Sequence, residues 1–243
     1  TLALDTLAHN IEDEGKGKYQ VRTVFTKVPR QLSKLIVSNN VTRIIIEPNL
    51  VLRGSVFECE THGLCKQAQD EFLSFFTIKT LSFADLYGGK ICAALARQHP
   101  RDLFDIKILL EKEGLTEYVR QAFVIYLASN SRPMHELLNP KPNIQDLKKL
   151  FEEAFIGMSQ EKITYEELIE TRFKLIELIL KSLTQNERNF LISVKSGNPD
   201  WQLIPIAGLN NLPGIRWKSL NIEKMDIKKQ KIALDKLKKV LDL

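Results

Sequence analysis

The sequence has 243 residues, of which 44% are hydrophobic and 27% charged, and its formal net charge is +5. This length supports one large domain or two smaller ones that fold without disulfide or metal staples. Three cysteines and the lack of an apolar run of about 20 residues exclude a disulfide-framed secreted scaffold and a membrane-spanning protein, and they predict a cytoplasmic location. The small positive excess permits a nucleotide or nucleic-acid partner without requiring one.

The first third of the chain predicts a helix followed by strands. Apolar residues recur at helical spacing over residues 3–14, and β-rich runs follow at 19–26, 31–37 and 41–47. Asn39 and Asn40 predict a tight hairpin between the last two runs, because asparagine tolerates positive φ. Residues 51–57 and 72–80 are β-branched or aromatic without a helical period, so they predict two further strands.

From residue 82 the periodicity is helical, with breaks at Pro100, at 129–142 and at 196–214. Helices are predicted over 83–97, 101–112, 117–127, 144–155, 165–183, 186–194 and 222–241. Residues 132–142 predict either a linker between two halves or a long bridging loop. The last helix carries a lysine-rich face, which is either solvated or binds RNA or a partner; its lysines are Lys224, Lys228, Lys229, Lys231, Lys236, Lys238 and Lys239.

Two adjacent glycines stand inside the predicted helix 83–97. Gly88 and Gly89 each cost about 1 kcal/mol relative to alanine there, so close approach of another backbone or of a ligand should compensate. Lys90 follows directly, and Tyr87 and Arg97 lie on the same helix. A cation beside a region free of bulky side chains predicts a binding site for a triphosphate.

Structural alternatives remain open for the charged residues of this segment. Ser82 and Asp85 have the spacing of a capping box. Arg101 and Asp105 stand four residues apart and could pair across one turn, and Asp102 suits the N-terminus of a helix that starts at Pro100.

The segment resembles the AbiEii/AbiGii toxin family in two boxes, Asp-Leu-Tyr-Gly-Gly-Lys at 85–90 and Arg-Asp-Leu-Phe-Asp at 101–105. The similarity continues over residues 44–54 and downstream over 123–133 and 155–158. It ends with a pattern around Trp201, Pro213 and Trp217. The family comprises nucleotidyltransferase-like toxins of bacterial abortive-infection and type IV toxin–antitoxin systems.

The resemblance implies an α+β fold with a polymerase-β-like nucleotidyltransferase core. That core would be an incomplete mixed sheet over residues 1–80. A helical part at 81–131 would complete the nucleotide pocket, and residues 132–243 would form a helical C-terminal lobe. The implied function is binding of a nucleoside triphosphate and metal-dependent nucleotidyl transfer. The alternative is a catalytically dead homologue that serves as a protein- or RNA-binding scaffold.

The resemblance also implies roles for particular residues. Glu47 would be the third metal-binding carboxylate, with Mg²⁺ or another divalent ion, although an acid at a strand end is often merely exposed. The implied catalytic residues are Glu47, Asp85, Lys90, Arg101 and Asp105, and the implied nucleotide contacts are Tyr87, Gly88, Gly89, Lys90 and Arg97.

The sequence departs from the family pattern in its metal motif. No Gly-Ser turn followed by Asp-x-Asp occurs, since Gly54-Ser55 leads only to Glu58 and Glu60. Because the chain begins with threonine, we expect the paired carboxylates in a preceding segment. The expected partners are a nucleotide, an RNA acceptor and an antitoxin encoded nearby, in phage defence and without a membrane. A weaker alternative is a zinc site of Cys59, His62 and Cys65 with Cys92.

Overall fold

The computed structural model describes residues 2–27, 30–48, 53–142 and 144–243, in two compact units, Thr1–Leu52 and Arg53–Leu243. The predicted α+β class is confirmed, because small antiparallel sheets accompany a large set of helices. Residues 53–80, which the sequence prediction grouped with the β-rich part, belong to the same compact unit as the helices.

The first unit consists of a helix and a three-stranded sheet. Helix α1 (Leu2–Gly15) precedes strands β1 (Gln20–Phe25), β2 (Leu32–Ser38) and β3 (Arg43–Ile46), which pair in the order β1-β2-β3. All pairings are antiparallel, because short connections between successive strands cannot make a parallel crossover. The mixed sheet expected from the sequence is therefore not found in the described part of this unit. Its core consists of Leu4, Ala8, Leu32 and Leu35.

The β2–β3 hairpin is confirmed, but its turn forms for a different reason from the predicted one. Neither Asn39 nor Asn40 has a positive φ. Instead, the side-chain oxygen of Asn39 accepts hydrogen bonds from the backbone N–H groups of Val41 at 2.9 Å and Thr42 at 2.7 Å. The asparagine side chain thus replaces a backbone acceptor in the turn.

The second unit opens with a two-stranded ribbon. Strands β4 (Glu60–Gly63) and β5 (Thr77–Thr80) pair antiparallel, and helix α2 (Lys66–Phe72) lies between them in the chain. The strand predicted over 51–57 is wrong for residues 53–57, which are irregular, while residues 51 and 52 lie outside the described residues. The strand predicted over 72–80 is correct only at its end, because α2 stops at a left-handed residue, Leu73, with φ 48°.

Helices make up most of the remaining chain. They are α3 (Phe83–Arg97), α4 (Pro100–Lys112), α5 (Glu117–Ala128), α6 (Met134–Leu138), α7 (Ile144–Ala154), α8 (Tyr165–Ser182), α9 (Gln185–Ser196), α10 (Pro213–Glu223) and α11 (Ile227–Val240). Side-chain caps begin several of them, at Ser82, Thr116, Thr164, Thr184 and Asp226. Their apolar faces share one continuous core, in which α3 packs closely on α5. No helix in the described ranges is both long and apolar enough to cross a bilayer.

Two helix-level predictions need correction. The single helix predicted over 222–241 is two helices, because the Asp226 side chain accepts a hydrogen bond from the Lys229 N–H and starts α11 afresh. Residues 132–142, predicted as a linker or loop, contain α6, whose residues Met134, Leu137 and Leu138 are buried in the core. This segment is therefore part of the packed unit.

Candidate functional site

Helix α3 begins after the N-cap residue Ser82, and the Asp85 side chain in its first turn is buried. Ser82 Oγ accepts a hydrogen bond from the Asp85 N–H at 3.1 Å and donates one to Asp85 Oδ2 at 2.9 Å. The same carboxylate accepts from the N–H groups of Val56 at 2.7 Å and Phe57 at 2.9 Å, and from the Tyr126 hydroxyl at 2.5 Å. Asp85 is only 1% exposed.

These four hydrogen bonds use about the full acceptor capacity of a carboxylate. Asp85 therefore fastens the irregular residues 53–57 to α3 and, through Tyr126, to α5. Burial, and then the hydrogen bond to Asp85, raise the pKa of the Tyr126 phenol. The structure gives Asp85 a positioning environment, and its implied catalytic role stays a prediction.

The two glycines of α3 face different surroundings. A Cβ on Gly88 would lie 2.8 Å from both the Cβ of Ala122 and the backbone nitrogen of Phe123, so Gly88 lets α3 and α5 approach closely. A Cβ on Gly89 would meet nothing within 4 Å. The sequence predicted that close approach of another backbone or of a ligand would compensate for the glycines. Gly88 shows the close backbone approach, and Gly89, one residue before Lys90, leaves open space on the helix.

Lys90 lies on the side of α3 that faces α4. Its ammonium donates a hydrogen bond to Asp105 Oδ2, and the two side chains are 33% and 35% exposed. An ammonium has three donors, so this contact orients Lys90 and leaves donors for another ligand. Asp105 therefore pairs with Lys90 of the neighbouring helix α3. The alternative pairing with Arg101, four residues earlier on the same helix, is not found in the described structure.

A second ion pair joins the same two helices near their connection. Arg97 Nε and Nη2 donate to the two oxygens of Asp102 at 3.0 and 2.7 Å. The Arg101 side chain is exposed and forms no ion pair with any residue in the described ranges. His99 caps α4 by accepting from the Arg101 N–H at 3.2 Å, and burial followed by the Arg101 charge lowers the pKa of this histidine.

Tyr87 is half-buried and packs on Phe83, with ring centroids 4.6 Å apart. The two family boxes, at 85–90 and 101–105, lie on the neighbouring helices α3 and α4 of one unit. In the described structure, the implied nucleotide contacts Tyr87, Gly88, Gly89, Lys90 and Arg97 all belong to α3.

Glu47 belongs to the other compact unit and follows strand β3, as the sequence predicts. Its Oε2 accepts a hydrogen bond from Lys34 Nζ at 3.2 Å, and its side chain is 56% exposed. Across the described ranges, no three histidine, cysteine, aspartate or glutamate side chains converge as metal ligands. The residues present therefore do not form the implied divalent-metal site, and Glu47 as its third carboxylate stays a prediction.

The zinc alternative gains no support from the described residues. Cys59 and Cys65 are exposed, and His62 Nε2 contacts Glu60 at 2.7 Å. Cys92 is buried in the core, where burial raises the pKa of its thiol to about 12 and disfavours the thiolate that zinc requires.

Sequence reasoning missed Tyr126 and the two backbone amides that complete the Asp85 cluster. A signal for Tyr126 was present, because it is a lone hydroxyl within a strongly apolar helix, Phe123–Ala128 being otherwise without polar side chains. A buried hydroxyl needs a hydrogen-bond partner. The amides of Val56 and Phe57 carried no such signal, because any residue supplies a backbone N–H.

A family model described as nucleotidyl transferase AbiEii toxin, type IV TA system, matches residues 3–217 of the chain. The chain belongs to this AbiEii nucleotidyltransferase toxin family, which confirms the resemblance found in the sequence. No curated protein matches the chain. No solved structure matches it either.

Proposed function

We propose that the open side of α3 next to α4 binds the phosphates of a nucleoside triphosphate, with Lys90 as the contacting cation. The observation that carries this proposal is the pairing of Lys90 with Asp105 beside the space left by Gly89. A fixed cation that follows a position without a side chain suits an anionic ligand, because phosphate oxygens can approach the helix backbone closely at the glycine.

The reaction that we propose is nucleotidyl transfer by a growth-arresting toxin. Family membership supports this class of reaction, in which an acceptor takes the nucleotide and pyrophosphate leaves. Asp105 would hold Lys90 in place, Tyr87 and Arg97 would contact the nucleotide from the same helix, and Arg101 is exposed and available to a phosphate. The residues that the structure describes do not assemble a divalent-metal site.

We further propose the setting of this activity. A type IV toxin family implies an antitoxin partner, and we infer that it is encoded nearby and that the pair serves phage defence in the cytoplasm. Three free cysteines support a reducing compartment. RNA is the acceptor class that we favour.

Charge reversal of Lys90 tests the nucleotide site. In the protein as encoded, Lys90→Glu should abolish triphosphate binding and growth arrest, because the new carboxylate would face Asp105 and repel phosphate. Lys90→Gln should weaken both less strongly. The matched control is Lys112→Glu, which makes the same charge change at an exposed position in the last turn of α4. Binding measured by calorimetry that is unchanged in Lys90→Glu would remove the assignment.

A second candidate function is a binding scaffold without chemistry. The observation that favours it is the absence of Asp-x-Asp from the 243-residue sequence. Labelled nucleotide separates the two functions, because a transferase moves the label onto an acceptor and a scaffold binds nucleotide or RNA without transferring label. Growth arrest by the encoded protein without any labelled product would favour the scaffold.

A further inference from the structure

A large cavity lies at the C-terminal end of α3, within the second unit, and Arg97 of the proposed nucleotide site is part of its lining. Its volume is about 1100 Å³, and its walls come from the end of α3, from α6 with the residues after it, and from α11. Among the described lining residues, six are basic and one, Glu136, carries a carboxylate. The basic residues are Arg97, Arg132, His135, Lys141, Lys236 and Lys239.

Most of this positive charge has no acidic partner. Arg97 is paired with Asp102, whereas Arg132 donates to a neutral acceptor, the backbone carbonyl of Ala96. Lys141, Lys236 and Lys239 form no ion pair within the described part of the chain, and all three are exposed. The lining therefore presents several cations that are free to meet an anion.

A buried guanidinium stands behind the cavity wall. Arg172 of α8 is 4% exposed and donates to Gln98 Oε1 at 2.7 Å and to the Pro140 carbonyl at 2.5 Å, and both of these residues line the cavity. Its hydrogen bonds in the described structure go to neutral oxygens, and burial lowers its pKa. Burying a charge without a counter-charge is unfavourable, so a bound anion would stabilise Arg172.

Lys195 of α9 adds to the positive electrostatic potential near the cavity. It is buried, and its Nζ lies 3.5 Å from the sulfur of Met225, which carries no charge. The pKa of His135 is lowered mainly by burial, and also by the charges of Lys236 and Lys195 despite the opposing charge of Glu136. The cavity is therefore surrounded by positive charge both at its surface and from within the fold.

The composition of the lining distinguishes the classes of anionic partner. Among the described residues, no phenylalanine, tyrosine or tryptophan lines the cavity, so they provide neither an aromatic platform for stacking a base nor an aromatic anchor for a protein partner. Interfaces with nucleic acid are more polar and more positive than those with protein. Long lysine and arginine side chains without aromatic neighbours suit phosphate contacts that do not read sequence.

We propose that this cavity binds the phosphodiester backbone of a nucleic-acid strand. The inference deepens the proposed function, on which it rests for its biological role, by giving the acceptor strand a site of its own. The site combines three exposed lysines, Lys141, Lys236 and Lys239, with the buried charges of Arg172 and Lys195.

A paired charge-removal experiment tests this site. The chain is titrated with fluorescent single strands of about 20 nucleotides, one RNA and one DNA of the same sequence, between roughly 50 and 200 mM salt. Lys236→Gln with Lys239→Gln should weaken strand binding about tenfold at low salt and reduce the slope of log affinity against log salt by about 0.7 per lysine. Comparing the two strands shows whether RNA or DNA is the source of the backbone.

The control variant lies on the same helix. Lys228→Gln with Lys229→Gln removes the same charge from exposed positions of α11 that do not line the cavity, and should leave affinity within about twofold. Equal weakening in both variants would mean diffuse attraction and would overturn the proposal. Binding of tripolyphosphate or polyglutamate with binding of neither strand would overturn it too.

The same variants separate this proposal from the nucleotide site. Lys236→Gln with Lys239→Gln should keep triphosphate binding in the encoded protein, and Lys90→Glu should keep strand binding. One outcome is that Lys90→Glu loses triphosphate binding while Lys236→Gln with Lys239→Gln leaves strand affinity unchanged. That outcome would support the nucleotide site and overturn the strand site. If Lys90→Glu keeps triphosphate binding while Lys236→Gln with Lys239→Gln weakens strand binding, only the nucleotide site is overturned.

Discussion

Two adjacent glycines of α3 lie on two different sides of the helix. At Gly88 the helix is closed against α5, with the Ala122 Cβ and the Phe123 nitrogen where a side chain would be. At Gly89 the helix is open, and the neighbouring Lys90 is held by Asp105 of α4. The same residue type therefore serves packing at one position and leaves room at the next, so a glycine pair in a sequence does not by itself identify a ligand site.

The closed side gives the largest expected effect. Gly88→Ala should lower the free energy of unfolding by about 3 kcal/mol, because the new methyl group meets backbone and Cβ atoms of α5 that cannot move independently. Urea denaturation of the chain measures this loss. Stability equal to that of the parent chain would mean that α3 and α5 separate at little cost, and the contrast between the two sides would fail.

The Asp85 cluster belongs to the closed side and gives the next effect. Asp85→Asn should cost about 2 kcal/mol, because the amide nitrogen would face donors that the carboxylate now satisfies. Tyr126→Phe removes one of those donors and should cost about 1 kcal/mol. If Asp85→Asn abolished growth arrest without lowering thermal stability, Asp85 would act in chemistry and not in positioning.

Local sequence signals predicted the parts of the fold that depend on neighbouring residues. Helix α3 was predicted with its observed bounds, because Ser82 caps its start and Pro100 begins the next helix. The break near residue 226 was missed, since Asp226 stands in an otherwise continuous helical pattern. Helix α10 was missed because its start lies in a segment rich in glycine, proline and asparagine.

Long-range contacts of the site could not be predicted in this way. Lys90 and Asp105 are on different helices, so nothing in the spacing distinguishes Asp105 as the partner of Lys90 from Asp105 as the partner of Arg101. Arg172 had an unused signal, because it interrupts the apolar face of α8 between Leu168 and Leu175. A cation at a core-facing position predicts a polar contact across the core, but its partners Gln98 and Pro140 follow only from the folded structure.

A buried lysine of α10 gives a pH-dependent effect. Lys218 of α10 donates to the Asn130 carbonyl at 2.6 Å, and burial, followed by the charge of Lys195, lowers its pKa to about 8. The folded state therefore binds this proton more weakly than the unfolded state, whose lysine titrates near its ordinary value of about 10.4. Between these two values the unfolded state holds more protons, so stability should rise with pH.

From pH 8 to roughly pH 9.5, this lysine should add about 1.5 kcal/mol to the free energy of unfolding. Lys218→Met removes the titrating group and should flatten that rise. Urea denaturation at several pH values measures both curves. Identical slopes for the two proteins would show that Lys218 is solvated in the folded state.

The open side gives the smallest effect on stability and the sharpest test of function. Gly89→Ala should raise the free energy of unfolding by about 1 kcal/mol, since alanine favours the helix and its methyl group meets no atom within 4 Å. If that space receives phosphate, the same change should weaken triphosphate binding, because the methyl group occupies the approach to the backbone beside Lys90. A more stable protein that binds nucleotide less well separates a ligand space from a packing space. Gly88→Ala is the matched comparison, since it should lose stability, and a gain of stability in Gly89→Ala with unchanged nucleotide binding would leave the open space beside Lys90 without a ligand.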